Sequence, residues 1–310
     1  MRGVLLPITT PFDPAGNVDL GGLRANIAKW NASEISGYVL LGSTGERAHL
    51  DENEYLKVIE AARAEVGPRP EGLIFIAGAG QQSTRGTINE IKRVIEAVTV
   101  DAFVVITPHF YRPSITQQAL IAHYRSIADA SPVPVILYSM PALTGIKIEP
   151  ETAARLSEHE NIVGIKDSSA DLDGLGETIK LVRKDFAVLT GNGTVLNQAL
   201  SAGACGGILA VGCVAPSVCI EIYRAVTYGE SERASSLQTK LTPLAQAVTT
   251  LFGIGGLKAA LDMSGYQGGA VRAPLRSPGQ AARVEIARLL EDARRTFASL
   301  PWETEIRAAL

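Results

Sequence analysis

The chain has 310 residues, 46% of them hydrophobic and 20% charged, with a net charge of −3. That composition is ordinary for a globular protein, and the length suits one large domain or one domain with an appendage. It carries no basic excess, which argues against nucleic acid as a partner.

Gly3 to Thr9 reads as a first strand, closed by Thr10-Pro11 and a turn at Asp13-Pro-Ala-Gly16. Its apolar part is interrupted by Pro7 and is too short for a signal sequence, and no later window reaches the length of a membrane span. The expectation is a cytoplasmic protein without membrane contact. Asp19 to Ala32 has helical spacing through Leu20, Leu23, Ile27 and Trp30. Gly37 to Leu41 is a strand that runs into Gly42-Ser-Thr-Gly-Glu46. Asp51 and Glu54 open the next helix as a capping box, and Gly67-Pro68 stops it.

The alternation then repeats. Strands are expected at Leu73 to Ala77, Ala102 to Ile106, Val133 to Leu137, Asn161 to Ile165, Phe186 to Leu189 and Gly207 to Ala210. Helices are expected at Thr84 to Val98, Thr116 to Ala130, from Pro150, at Asp173 to Arg183 and at Val195 to Ala202. The strands are continuous apolar runs, as strands covered on both faces are. Eight βα units point to an α/β fold, a (β/α)8 TIM barrel spanning residues 1–225, with residues 226–310 as a C-terminal helical region packed on it. No Gly-x-Gly-x-x-Gly follows the first strand, which argues against a dinucleotide fold. Three cysteines, Cys205, Cys213 and Cys219, lack Cys-x-x-Cys spacing and read as small core or near-core residues.

Lys166 gives the chain its chemical character. It ends the run Asn161-Ile-Val-Gly-Ile165, where an ammonium is costly to bury. Burial favours a neutral amine, and neutral amines add to carbonyl carbons to form Schiff bases. The alternative is a lysine just past the strand that snorkels to solvent. Barrel enzymes collect their chemistry at the C-terminal ends of the strands. That rule gathers Ser43, Thr44 and Glu46 from strand two, Thr107 from strand four, Tyr138 from strand five, Lys166 and Ser168 from strand six, and Gly191 from strand seven. Imine formation needs a positioned acid and base. Tyr138 serves that need, and Ser43 completes a relay. The Gly42 to Gly45 turn offers amides and hydroxyls for a carboxylate, although loops of that composition are common. His109 is read as structural or at the rim. The four histidines are scattered and suggest no metal site. Arg47 is a candidate partner for a second carboxylate, with a surface salt bridge as the alternative.

Thr9-Thr-Pro-Phe12, Gly42-Ser-Thr-Gly-Glu46, Thr107-Pro108, Tyr138-Ser-Met-Pro141 and Gly164-Ile-Lys166-Asp167 together resemble the pyruvate-dependent class I aldolases and synthases. That family includes dihydrodipicolinate synthase, N-acetylneuraminate lyase and 4-hydroxy-2-oxoglutarate aldolase. The resemblance covers nearly the whole chain. It implies that Lys166 forms the Schiff base with pyruvate, that Tyr138 shuttles protons with Ser43, and that Ser43 and Thr44 hold the pyruvate carboxylate. Ser168, Gly191, Ile208 and Thr107 are the further substrate-binding positions it implies. It also implies a homotetramer built as a dimer of dimers, with no metal or organic cofactor.

Two positions depart from the family pattern. Dihydrodipicolinate synthases carry an arginine where this chain has Leu143, and many members carry a tyrosine where it has Phe110. Tyr138-Ser139, Lys166-Asp-Ser168, the run Phe252 to Lys258 and Arg272-Ala-Pro-Leu275 resemble 4-hydroxy-2-oxoglutarate aldolases. The expected activity is reversible cleavage of a 4-hydroxy-2-oxo acid to pyruvate and an aldehyde. The alternative is dihydrodipicolinate synthase (4-hydroxy-tetrahydrodipicolinate synthase) or another synthase condensing pyruvate with an aldehyde. A third reading, from another class, is a barrel that binds a keto acid without catalysis.

Overall fold

A computed structural model describes residues 1–67, 72–298 and 300. The helix stop expected at Pro68 and the last ten residues of the expected helical tail lie outside the described residues.

Eight parallel strands close into a barrel in sequence order. They are β1 Gly3–Pro7, β2 Gly37–Leu40, β3 Ile74–Ala79, β4 Ala102–Ile106, β5 Val135–Ser139, β6 Ile162–Asp167, β7 Ala187–Thr190 and β8 Gly206–Ile208. Between and after them run α1 Leu20–Trp30, α2 Glu52–Val66, α3 Thr84–Ala97, α4 Gln117–Ala130, the short α5 Pro141–Thr144, α6 Pro150–Ser157, α7 Leu172–Leu181, α8 Leu196–Ser201 and α9 Pro216–Thr227. The side-chain period of two divides each strand between two cores. Leu5, Val39, Ile76, Val104, Ile136, Leu189 and Ile208 fill the barrel interior. Their neighbours pack outward against the helices in a larger apolar layer. This double burial is why the strands read as unbroken apolar runs.

Local signals set the helix starts. Asp51 and Glu54 form the full capping box of α2, and Asp19 caps α1 by accepting from the Gly22 amide at 2.9 Å. Leu23, Ile27 and Trp30 are the buried stripe of α1. Beyond α9 the chain continues as α10 Ser231–Gln246, a π-helical turn Ala247–Leu251, α11 Gly253–Met263 and α12 Gln280–Thr296. The α10 side chain of Gln238 clasps the loop after β7, donating to the Gly193 carbonyl at 3.0 Å and accepting from the Asn197 amide at 2.9 Å. Cys213 and Cys219 are buried, and burial pushes the Cys219 thiol up to about 12. Among the described residues no helix is long and apolar enough to cross a membrane.

His123 on α4 sits in this outer layer, 6% exposed, with Nδ1 2.9 Å from Thr84 Oγ1 and no partner for Nε2. Burial lowers its pKa to about 4. The unfolded chain takes up this proton near pH 6.5, before the folded chain does. Stability from the buried neutral ring is therefore complete above about pH 6.5 and falls away as the pH drops towards 4. Urea unfolding of the wild type and of His123→Phe at pH 7.5 and pH 4.5 is expected to show the wild type losing up to about 3 kcal/mol more than the variant on acidification.

Candidate active site

Lys166 lies inside β6, which continues through Asp167, and is only 3% exposed. A side chain so covered does not snorkel to solvent, so the structure sets that alternative aside. Tyr138 on β5 is equally buried and is the direct partner of Lys166 across the ladder. The ammonium nitrogen lies 4.1 Å from the centre of the Tyr138 ring, within the range of a cation–π contact.

An irregularity in strand pairing creates this alignment. Val135 pairs with Ile162, but the next residue, Ile136, pairs with Gly164. Val163 is the extra residue. Paired without it, Tyr138 would stand opposite Ile165, and Lys166 would share a face with Ser139 outside the barrel. The shift turns Lys166 inward on the same face as Tyr138.

The Tyr138 hydroxyl lies 2.9 Å from Ser43 Oγ, and either atom can donate. Burial alone would raise the phenol's pKa. The Lys166 ammonium and hydrogen bonds with Ser43, Lys166 and Ser168 outweigh it and hold Tyr138 below the usual tyrosine range. That makes the phenol a readier proton donor.

Ser43 and Thr44 stand on a turn bracketed by two residues in the left-handed region, Leu41 at φ 53° and Glu46 at φ 54°. Gly78 of β3 allows this path, because a Cβ there would overlap the Leu41 carbonyl. Within the turn the Gly45 and Glu46 amides donate to the Gly42 and Ser43 carbonyls. Among the described residues, the Ser43 and Thr44 amides have no such acceptor and are available to an anion.

Gly191, after β7, packs closely against Ser168 and Lys166. A Cβ at this position would overlap Ser168 Oγ and come within 3.0 Å of Lys166 Cε. Ser168 is half-buried beside it, and Ile208 is fully buried in the barrel interior. Thr107 follows the end of β4. Ile106 packs towards the barrel interior, and Thr107, one residue later, is fully buried with its hydroxyl unpartnered. Arg47 is committed to the protein. Its Nε donates to Glu90 Oε1 at 2.8 Å, its guanidinium covers the Tyr55 ring at 4.0 Å, and the Glu90 side chain is fully buried. His109 lies at the rim, where its amide and that of Phe110 donate to Gln82 Oε1 at 2.9 and 2.8 Å. Phe110 and Tyr111 are 74% and 68% exposed and pack edge to face, and within one chain the hydroxyls that bond with Tyr138 are those of Ser43 and Ser168. Among the described residues no group of three or more His, Cys, Asp or Glu side chains is placed to hold a metal ion.

Sequence reasoning missed Lys258. It is 1% exposed on α11, with Nζ 2.5 Å from Glu46 Oε1. The signal was present: a lysine in the otherwise apolar run Phe252 to Ala260 has to find a buried partner.

Known proteins are similar to this chain in sequence and in fold. The model of the dihydrodipicolinate synthetase family matches residues 1–293. The 4-hydroxy-tetrahydrodipicolinate synthase of Methanothrix thermoacetophila is 36% identical over 275 residues, covering 88% of this chain and 90% of that protein. The protein of the same name from Methanopyrus kandleri is 35% identical over 303 residues, covering 97% of this chain and 98% of its own length. Among solved structures, YagE, a prophage protein of the dihydrodipicolinic acid synthase family from E. coli K12 solved in complex with pyruvate, superposes with a TM-score of 0.87 at 27% identity, covering 95% of this chain and 99% of that one. With a family match across nearly its full length, relatives above 30% identity and a closed barrel carrying an inward lysine, the chain belongs to the dihydrodipicolinate synthetase family of Schiff-base aldolases and synthases.

Proposed function

We propose that this protein forms a Schiff base between Lys166 and pyruvate and joins the resulting enamine to an aldehyde. The single observation that carries the reading is the buried Lys166–Tyr138 pair with Ser43 2.9 Å beyond the phenol. The Lys166 ammonium first passes a proton to solvent by way of the Tyr138–Ser43 pair, and the free amine adds to the keto carbon to give a carbinolamine. Tyr138 protonates its hydroxyl, which leaves as water, and the phenol is reprotonated through Ser43. The imine nitrogen acidifies the adjacent methyl group. Loss of a proton there gives an enamine whose carbon attacks the aldehyde, and water then releases the product and frees Lys166. The Ser43 and Thr44 amides hold the keto-acid carboxylate, Gly191 leaves room beside Lys166, and Ser168 and Ile208 line the remaining space.

The names of the relatives favour condensation, as in 4-hydroxy-tetrahydrodipicolinate synthases, over the cleavage of a 4-hydroxy-2-oxo acid that the sequence motifs suggested. Leu143 supports cleavage as the second reading. It is 62% exposed at the rim and cannot pair with a second carboxylate. The exposed Phe110–Tyr111 pair offers apolar surface to a second copy, in keeping with a dimer-of-dimers assembly.

Incubation with pyruvate and borohydride, followed by intact mass and peptide mapping, tests the proposal. The expected result is one reduced pyruvate adduct on Lys166. A folded protein with no adduct would overturn the Schiff-base reading and leave a barrel that binds without reacting. Pyruvate release from 4-hydroxy-2-oxoglutarate, without formation of 4-hydroxy-tetrahydrodipicolinate, would favour cleavage.

A further inference from the structure

Behind the Ser43–Thr44 turn lies a second buried lysine. Lys258 Nζ contacts Glu46 Oε1 at 2.5 Å, donates to the Ala270 carbonyl at 2.6 Å and lies 4.4 Å from the centre of the Phe12 ring. The other carboxylate oxygen, Oε2, is 3.0 Å from His49 Nδ1 and accepts from the Arg272 amide at 3.0 Å. The Arg272 guanidinium lies 4.4 Å from the centre of the same Phe12 ring and forks onto Glu54 at 2.6 and 2.7 Å. From β1's side, Thr10 Oγ1 donates to the Gly45 carbonyl at 2.7 Å.

Glu46 is the residue through which all of this reaches the turn. Its side chain is fully buried and its backbone is left-handed, a conformation that a non-glycine residue keeps only when its surroundings hold it. Burial holds Lys258 below the usual lysine range even with Glu46 opposing it, so the pair sits where removing one charge strands the other.

We propose that Lys258 and Glu46 are positioning residues: their buried ion pair is the tie by which the C-terminal helices fix the turn that carries Ser43 and Thr44. Neither touches substrate. The inference rests on the reading above that Ser43 and Thr44 receive the keto-acid carboxylate. It makes α11 a support of the substrate site.

The test compares the full-length wild type with Lys258→Met and Lys258→Met/Glu46→Gln. Hydrogen exchange, which needs no substrate, reads the turn. In Lys258→Met, peptides covering residues 42–50 are expected to exchange faster while those from β5 and β6 keep wild-type protection. Glu46→Gln should restore much of the loss, because a neutral amide needs no ammonium yet still accepts from the Arg272 amide. The pyruvate concentration that half-saturates borohydride trapping should rise by about tenfold to a hundredfold in Lys258→Met. The trapping rate at saturation should change far less, since Lys166 and Tyr138 stay in place. Wild-type protection of residues 42–50 in Lys258→Met overturns the proposal. So does exchange that rises equally throughout the barrel, or a double variant no better than the single one. If the wild type traps no pyruvate, the functional reading falls and hydrogen exchange alone decides whether the tie exists.

Discussion

Lys166→Ala is expected to abolish both the borohydride-trapped pyruvate adduct and turnover while leaving a folded barrel. The substitution removes the nucleophile, for which no neighbouring group on β5 or β7 substitutes: the facing residues are Tyr138 and Leu189. It adds no bulk and takes a charge out of a site that is 3% exposed, so the fold loses packing but is relieved of a desolvated ammonium. Circular dichroism and thermal unfolding check the fold, and peptide mapping checks the adduct. The mapping also separates the two buried lysines. Lys258 is engaged by Glu46 and by the Ala270 carbonyl, so no adduct is expected there in either protein. Near-normal turnover in Lys166→Ala, or a wild-type adduct on Lys258, would remove Lys166 from the mechanism.

Tyr138→Phe is expected to slow imine formation by about a hundredfold or more, the usual size of a general acid–base contribution. The phenyl ring keeps its place against the Lys166 ammonium, which lies 4.1 Å from its centre. What disappears is the hydroxyl 2.9 Å from Ser43. Pyruvate binding should therefore survive, because the Ser43 and Thr44 amides are untouched, while the dehydration of the carbinolamine lacks its acid. Single-turnover trapping at saturating pyruvate measures this directly. An unchanged rate would show that water, and not the phenol, carries the proton. A rise in half-saturation at an unchanged rate would make Tyr138 a binding group.

Much of the fold was legible because its signals are local. Asp51 and Glu54 announced the start of α2, and apolar runs bounded by turns announced the strands. The errors are local too. The fifth strand was expected from Val133 but begins at Val135. Pro134 between them has no N–H to give to a ladder, although its carbonyl accepts from the Phe103 amide at 2.9 Å. The sixth strand extends two residues past its expected end because Lys166 and Asp167 are not apolar, yet both pair with β5 and β7.

The candidate site divides along the same line. Lys166, Tyr138, Ser43 and Thr44 were recognisable because each sits in a short motif at the end of a strand. Arg47 was not assignable: its partner Glu90 is 43 residues away and nothing in the sequence links them. Glu46 was visible only as a rim residue, since its partner Lys258 lies more than two hundred positions later.

The sequence by itself determined the order of strands, the caps, and which side chains could supply a nucleophile and a proton, because residue type and near-neighbour spacing govern those properties. The tertiary structure alone decided that Lys166 faces inward beside Tyr138. That depends on one extra residue, Val163, in the pairing of β5 with β6, and the register of two parallel strands is set by long-range hydrogen bonding and by closure of the barrel rather than by either strand's own residues.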